Sequence, residues 1–207
     1  PPKASTKVDS SSNLNSSKPV IDQTTSPFDP TVASSFTEQY GTTLYDTQGN
    51  AHEMVQYMVK TGSNTWKSYT LIDGRNPDGT PVKGTGAVAP VASTVTFDTS
   101  GTLKGIVTPP STVSNTTLTI SNWKPGVMDN GVWNPDNGAA ANPGGIAINM
   151  SDITQYNSAS YRNPPITDGY ATGEITGLKI DGSGVLFATF SNQQSKAIGQ
   201  ISLASFN

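Results

Sequence analysis

The chain has 207 residues, no cysteine, one histidine and a formal net charge of −3 at pH 7. These values exclude disulfide bonds and thiolate metal sites, and they offer no positive field that would attract nucleic acid or an anionic membrane. Glycine (20) and proline (15) are frequent, and charged residues make up only 13%. No apolar run approaches the ~20 residues of a membrane-spanning helix. The composition therefore predicts an all-β protein, rich in turns, with no nucleic-acid or membrane partner.

Residues 1 to 31 are rich in Ser, Thr, Pro and Asp. They predict an extended leader, with at most a weak edge strand around Val8 and Leu14. Pro1-Pro2-Lys3-Ala4 has none of the features of a signal peptide. Because the chain begins and ends abruptly, we expect it to be a fragment.

From Phe36 to Ile72 the apolar pattern predicts three strands, the first two joined by an Asx-Gly turn at residues 45–50. The middle strand carries apolar side chains on both faces. One face has Val55, Tyr57 and Val59, and the other has Met54 and Met58 together with His52. A strand of this kind is typical of the centre of a sheet that is covered on both sides.

Residues 73 to 93 form a predicted Pro/Gly loop. Short strands are expected at Thr94–Phe97, Leu103–Val107 and Thr117–Ile120. The stretch 124–145 contains so many turn residues that we expect an irregular surface loop, tethered by Trp123 and Trp133. A helix of one or two turns is conceivable only around Met150 to Tyr156.

The last forty residues contain three short apolar runs, Glu174 to Ile180, Val185 to Phe190 and Ala197 to Phe206. Asp181-Gly182-Ser183-Gly184 joins the first two and residues 191–194 join the next. Strand-sized runs separated by short Gly, Asn and Asp clusters are typical of a β-meander.

The last forty residues contain an ordered series: GYATG, an apolar run, DGSG, a second apolar run, FSN and GQISLASF. This series resembles the C-terminal part of the bacterial flagellar hook protein. Residues 40–71, YGTTLYDTQGNAHEMVQYMVKTGSNTWKSYTL, are similar to an earlier block of the same family, in the same order along the chain. Between the blocks, residues 72–165 resemble the family mainly in composition.

The resemblance implies a structural subunit, not an enzyme. Copies would form a helical homopolymer, the extracellular, flexible and curved hook, which is exported through the flagellar type III apparatus and passes motor torque to the filament. The full-length protein would also meet rod, hook-cap and hook-filament junction proteins. The implied fold is an antiparallel sandwich or barrel-like outer β domain at residues 1–165. Residues 166–207 would be the C-terminal part of a discontinuous inner β domain, whose first half and the terminal helices are not visible here.

Candidate chemistry is sparse, and we predict no catalytic, cofactor-binding or metal site. His52 has Asp46 and Glu53 near it in sequence, but a lone histidine beside a turn is more often a surface residue. His52 and Glu53 also point to opposite faces of a strand.

Other polar motifs in the sequence also lack the arrangement that a catalytic or metal site requires. Asp129 and Asp136 do not follow the order of a calcium loop. Gly144-Gly145 and Gly182-x-Gly184 precede neither a helix nor a Lys-Ser/Thr pair. Ser191, Ser195 and Ser202 lack a nucleophile elbow and a base.

Two alternatives stay open. Exposed Trp123 and Trp133 could make the chain an extracellular β-sandwich carbohydrate-binding module, although we favour Trp66 in the core and the other two holding the long loop. A viral or pilus-like β subunit would fit the composition equally well.

Overall fold

In the computed structural model, which describes residues 1–201, the chain folds almost entirely into β-strands. A single-turn 3-10 helix, Ala33–Ser35, interrupts them. No helix in the described part of the chain is long and apolar enough to cross a membrane. The predicted all-β class is therefore confirmed. The strands, in chain order, are β1 Lys7–Asn13, β2 Glu38–Tyr45, β3 Ala51–Lys60, β4 Thr65–Ile72, β5 Ala92–Phe97, β6 Leu103–Val107, β7 Thr117–Ile120, β8 Val127–Asp129, β9 Val132–Asn134, β10 Ile146–Thr154, β11 Tyr161–Arg162, β12 Ile166–Thr167, β13 Ile175–Ile180, β14 Val185–Phe190 and β15 Ser195–Gln200.

Sheet I is antiparallel and contains five strands in the order β2-β3-β4-β5-β6. Strands that follow each other closely pair as neighbours because closing a short loop costs little entropy. Met54 and Met58 of β3 face one apolar cluster, and Tyr57 and Val59 face another. The prediction that this strand is central and covered on both sides is confirmed.

Sheet II has the order β11-β1-β10-β7, with β12 also paired to β1. The expectation of an edge strand near Val8 is wrong, because β1 runs parallel to β10 on one side and antiparallel to β11 and β12 on the other. Several of its buried side chains are polar, including Ser10, Ser12 and Asn13. Asn13 Oδ1 accepts a hydrogen bond from the Tyr156 backbone amide at 2.9 Å. Buried serines conceal the alternation that marks an internal strand.

The suggested helix at Met150 to Tyr156 is also wrong, since β10 runs through most of this stretch. Ile146, Ile148 and Met150 are buried at every second position, which is the period of a strand. Pairing of β10 with β1 and β7 decides the conformation.

Sheets I and II pack face to face as a sandwich, with one apolar cluster between them. Sheet I contributes among others Trp66, which has no exposed surface, and sheet II contributes Ile148. The members of this core are Val8, Leu14, Leu44, Met54, Met58, Trp66, Ile72, Val95, Phe97, Ile106, Leu118, Ile120, Trp123, Ile146, Ile148, Met150 and Ile153.

The outer face of sheet I is covered by the irregular segment before β2. Phe28 stacks on Tyr69 with ring centroids 4.1 Å apart, and Phe36 meets Tyr57 edge to face at 5.0 Å. Lys60 Nζ, on buried Lys60, donates hydrogen bonds to the carbonyl oxygens of Ser16 and Lys18. The polar leader is thus part of the packed structure because it supplies the aromatic cover for this sheet.

Three hairpins use the same turn, Asp-x-x-Gly-x, beginning at Asp46, Asp98 and Asp181. In each, the Asp Oδ1 accepts from the backbone amides two and four residues later, at 2.9 Å. The glycine takes a φ of +85°, +83° or +80°, which suits a residue without a Cβ. The Asx-Gly turn signals in the sequence therefore report real hairpins.

The stretch 124–145 is less irregular than expected. It contains the β8–β9 hairpin, in which Met128 lies opposite Trp133. Asn130 and Gly131 at its tip have φ values of +48° and +80°, as a two-residue hairpin turn of mirror type requires. An Asn-Gly pair between short apolar runs was the available signal.

The meander forms a separate sheet III of order β13-β14-β15. The first two predicted runs are confirmed as β13 and β14. The third begins within β15, while its last part, residues 202–206, lies outside the described residues. The residues just before sheet III belong to the sandwich by hydrogen bonding, since β12 pairs with β1 and Tyr170 forms a bridge with Lys3.

Candidate functional site

His52, expected at the surface, is instead buried with 5% of its surface exposed. The β2–β3 register places it opposite Leu44, and the alternation of β3 turns it toward the sandwich core with Met54. Glu53 is exposed on the other face, as the alternation predicted. The sequence expectation was wrong because the strand continues to the turn, so even its second residue faces inward.

The imidazole of His52 lies between two carboxylates from different turns. Nδ1 is 2.7 Å from Asp73 Oδ2, and Nε2 is 3.3 Å from Asp46 Oδ2. The Asp46 side chain has no exposed surface and that of Asp73 is 24% exposed. A carboxylate only accepts hydrogen bonds, so both ring nitrogens donate when the ring is protonated.

The surroundings favour this doubly protonated ring. Burial by itself lowers the pKa of His52, but hydrogen bonds to Asp73 and Asp46 and their negative charges outweigh it and raise the pKa above its usual value. Burial alone would raise the pKa of Asp46, yet the hydrogen bonds from Asn50 and His52 lower it overall. With the ring doubly protonated between two carboxylates, the three groups together carry a net charge of −1.

This unit lacks the parts of a catalytic site. A general base needs a free nitrogen within reach of a reacting group, whereas both nitrogens of His52 are engaged. No group of three or more His, Asp or Glu side chains within residues 1–201 has a metal-holding arrangement. Asp129 is the last residue of β8 and Asp136 follows β9. Both are exposed, and Asp129 Oδ1 accepts from the Asn130 side chain at 3.0 Å.

The tryptophans do not present a flat exposed platform for a sugar ring. Trp66 is in the core, as favoured. Trp123 is 6% exposed and meets His52 edge to face at 5.2 Å. Trp133 is half-buried, with the Arg75 guanidinium carbon 4.7 Å from its ring centroid. Trp123 thus contacts β3 and Trp133 contacts the 73–93 loop, and the carbohydrate-binding alternative is not favoured.

An open groove of 420 Å³ lies beside this unit, between the turn at residues 46–50 and the β8–β9 hairpin. His52, Asp73, Asn50, Met128 and Trp133 line it among others. Solvent therefore reaches the Asp73 side of the imidazole, while Asp46 stays enclosed.

Sheet III carries several exposed apolar side chains. Ile175, Leu178 and Ile180 of β13 are 63%, 63% and 53% exposed; we call these three residues the β13 strip. Leu178 and Ile180 lie opposite Ala188 and Leu186 of β14, of which Ala188 is buried and Leu186 is half-buried. A small sheet with an uncovered apolar face requires a partner for stability.

Sequence reasoning missed two polar side chains that join distant elements. Asp73 was assigned to a loop, and nothing in the sequence connected it to His52. Arg162 of β11 donates to Gly41 O and Thr42 Oγ1 of β2, both at 2.6 Å, and thereby joins the edges of sheets I and II. Only the topology brings these partners together.

Residues 13–170 match the family described as the flagellar basal body protein FlaE D2 domain. The matched region begins at the last residue of β1 and reaches the bridge at Tyr170. The chain is thus an all-β protein of the flagellar structural class. It belongs to the FlaE D2 domain family.

Curated relatives carry the name flagellar hook protein FlgE. The Escherichia coli K12 protein is 31% identical over 207 aligned residues, which cover 99% of this chain and 43% of that protein. The Salmonella typhimurium protein is 31% identical over 204 residues, 99% of this chain and 43% of the relative. The Treponema pallidum protein is 29% identical over 175 residues, 79% of this chain and 37% of the relative. The chain therefore spans less than half the length of these proteins.

Two solved structures are similar. The Helicobacter pylori flagellar hook protein FlgE2 has a TM-score of 0.46 and 18% identity, covering 79% of this chain and 32% of that one. A 32 kDa fragment of the flagellar hook protein FlgE from Caulobacter crescentus has a TM-score of 0.43 and 22% identity, covering 63% of this chain and 46% of the fragment.

Proposed function

We propose that this chain is the central part of a structural subunit of the bacterial flagellar hook. The observation that carries the proposal is the 31% identity to the Escherichia coli hook protein across 99% of the chain. The match extends beyond the sandwich into the meander, so it includes both parts of the chain.

In this role, copies of the full-length protein assemble into a helical homopolymer outside the cell, a flexible curved tube that passes torque from motor to filament. Its further partners are the rod, hook-cap and hook-filament junction proteins. A tube that bends as it rotates needs contacts that form and break repeatedly. The low charged fraction of 13% suits such contacts, because exposed polar and ionic pairs contribute only ~0–1 kcal/mol each.

The proposal includes a division into two domains. Residues 1–165 form the core of an outer domain and residues 166–207 lead into the C-terminal part of an inner one. The pairing of β12 with β1 and the bridge at Tyr170 support a border a few residues later, after Tyr170. The exposed β13 strip supports an inner domain completed by residues elsewhere in the full-length protein.

We also propose that the chain catalyses no reaction and holds no cofactor or metal. Both nitrogens of its single histidine are engaged by carboxylates, which supports a structural role for the one acid–base cluster in the sandwich.

The test is negative-stain microscopy of cells that make the full-length protein in place of their own hook protein. We expect curved tubes. Leu178→Glu places a charge on the β13 strip and should abolish them, whereas Lys179→Glu, on the opposite face of the same strand, should leave them intact. Absence of tubes with the unmodified protein would refute the hook assignment, and tubes with Leu178→Glu would refute the role of the strip alone.

A further inference from the structure

His52 joins two turns at the same end of sheet I. Asp46 is the first residue of the turn between β2 and β3, and Asp73 directly follows the end of β4. Asp73 is itself fixed to β3, since its backbone amide donates to Glu53 O at 2.8 Å and its Oδ1 accepts from the Glu53 amide at 3.0 Å. Asp73 is therefore held in place by β3 independently of its contact with His52.

The turn at residues 46–50 in turn holds part of the long loop. Thr47 N donates to Ala140 O and Ala140 N donates to Thr47 Oγ1, both at 2.9 Å. The Gln48 side-chain amide donates to Gly138 O at 2.8 Å. The position of residues 138–140 thus depends on a turn whose first residue is held by His52.

A neutral imidazole has one N–H and cannot donate to both carboxylates. Since the Asp73 contact is shorter at 2.7 Å and the Asp46 contact is 3.3 Å, the remaining proton stays on Nδ1. Asp46, without exposed surface, then faces a nitrogen lone pair in a site that water does not reach. Asp46 keeps the hydrogen bonds from the Gln48 amide and from the amide and side chain of Asn50, but its Oδ2 has lost the His52 donor. The loss of this donor in a buried site is unfavourable and shifts the turn toward an open form in which water reaches Oδ2.

We propose that His52 is a proton-dependent clamp. While the imidazole is doubly protonated, it holds the turn at residues 46–50 closed. When the imidazole loses the Nε2 proton, it releases this turn together with residues 138–140. The other charged side chains near His52, Asp46 and Asp73 do not face the imidazole. Glu53 is exposed on the opposite face of β3, and Arg75 donates to Gly79 O and lies over Trp133.

The direction with pH follows from the two pKa shifts. The pKa of His52 is raised in the folded state, so its contribution is complete below about 6.5, the ordinary value, and is lost as pH rises through the folded pKa. The pKa of Asp46 is lowered, so its contribution is complete above 3.8 and is lost as pH falls through its folded pKa. The clamp is closed between these limits and opens on the alkaline side.

The single histidine makes the test direct, because the 207-residue chain has one imidazole to follow by NMR. We expect a titration midpoint above 6.5. In hydrogen exchange corrected for intrinsic rates, the amides of Gln48, Asn50 and Ala140 should lose protection above that midpoint, by about tenfold for each pH unit that separates the midpoint from 6.5. The Glu53 amide, held by Asp73, should keep its protection.

His52→Gln, which has no titratable group, is the matched control and should show no such step. Asp73→Asn removes one of the two charges and should move the midpoint and the step together toward 6.5. A wild-type midpoint at or below 6.5, protection of Gln48 and Ala140 that does not change through the midpoint, or the same step in His52→Gln would each overturn the proposal. The wild-type titration decides the matter even if a variant fails to fold.

Discussion

The indole Nε1–H of Trp66, in sheet I, donates a hydrogen bond of 2.5 Å to Oε1 of Gln155, which directly follows β10 of sheet II. Gln155 also donates from Nε2 to Ser63 O and Asn64 Oδ1, at 3.1 and 3.0 Å. The side-chain amide of Gln155 thus connects Trp66, the largest fully buried side chain, to the β3–β4 turn. We expect Gln155→Ala to lower the free energy of unfolding by ~1–3 kcal/mol, because it leaves a buried indole N–H without an acceptor.

Urea unfolding followed by tryptophan fluorescence measures this change. Gln194→Ala, in the exposed turn of sheet III, is the control and should change the stability by less than about 0.5 kcal/mol. Equal stability of Gln155→Ala and the unmodified chain would mean that water replaces the lost acceptor.

Two glycines with similar backbone conformations allow us to compare two costs of adding a side chain, backbone strain and steric overlap with neighbouring atoms. Gly101 and Gly74 have φ values of +83° and +73°. A Cβ on Gly101 would lie 2.5 Å from Gln155 O, whereas one on Gly74 would meet nothing within 4 Å. Gly74→Ala should cost ~1–2 kcal/mol from the left-handed conformation alone. Gly101→Ala should cost clearly more in the same unfolding experiment, and equal costs would show that the turn shifts freely.

Acid should detach the N-terminal segment from Asp168. Thr6 N and Lys7 N donate to Asp168 Oδ1 at 2.8 and 2.9 Å, and Lys3 Nζ lies 2.9 Å from Oδ2. Burial alone would raise the pKa of Asp168, but these hydrogen bonds lower it well below its usual range. The stabilisation is therefore present above about pH 3.8 and is lost as pH falls through the folded pKa.

Hydrogen exchange of the Thr6 and Lys7 amides checks this expectation. Both should be protected at pH 5 and released in Asp168→Ala at the same pH, because alanine has no acceptor for these amides. Undiminished protection in the variant would indicate that strand pairing alone holds the segment.

Sheet III should be the least protected ordered part of the isolated chain. Its strands bury little apolar surface, as the exposure of the β13 strip shows, and weakly packed sheets open more often. Amides in Ile175–Ile180 and Val185–Phe190 should exchange faster than those in Val55–Val59, measured by hydrogen exchange with mass spectrometry. Equal, strong protection in a monomeric sample would contradict the proposed domain border.

Trp133→Ala should increase protease cleavage within residues 124–145. The indole packs under the Arg75 guanidinium at 4.7 Å, and its removal deletes a contact between the β8–β9 hairpin and the 73–93 loop. Val132→Ala, with Val132 69% exposed, is the control and should leave cleavage unchanged. Binding of the unmodified chain to a glycan array, lost in Trp133→Ala, would instead revive the carbohydrate-binding alternative.

The sequence by itself determined the all-β class, the strands of sheet I and the hairpin turns, because these depend on local signals: apolar alternation in β3 and an Asp-x-x-Gly turn at Asp46, Asp98 and Asp181. It also carried the family resemblance. Local signals suffice where consecutive strands pair, since each turn specifies its own register.

Only the tertiary structure decided the place of β1, the strand at Ile146–Thr154 and the partners of His52. Ser12 is buried and pairs with Ile153 of β10, 141 residues later, and a serine reveals nothing about burial until its partner strand is known. Likewise, Asp46 and Asp73 meet at one imidazole because β3 lies between β2 and β4. The charge state of that ring depends on this contact between distant segments, which hydrophobic periodicity does not encode.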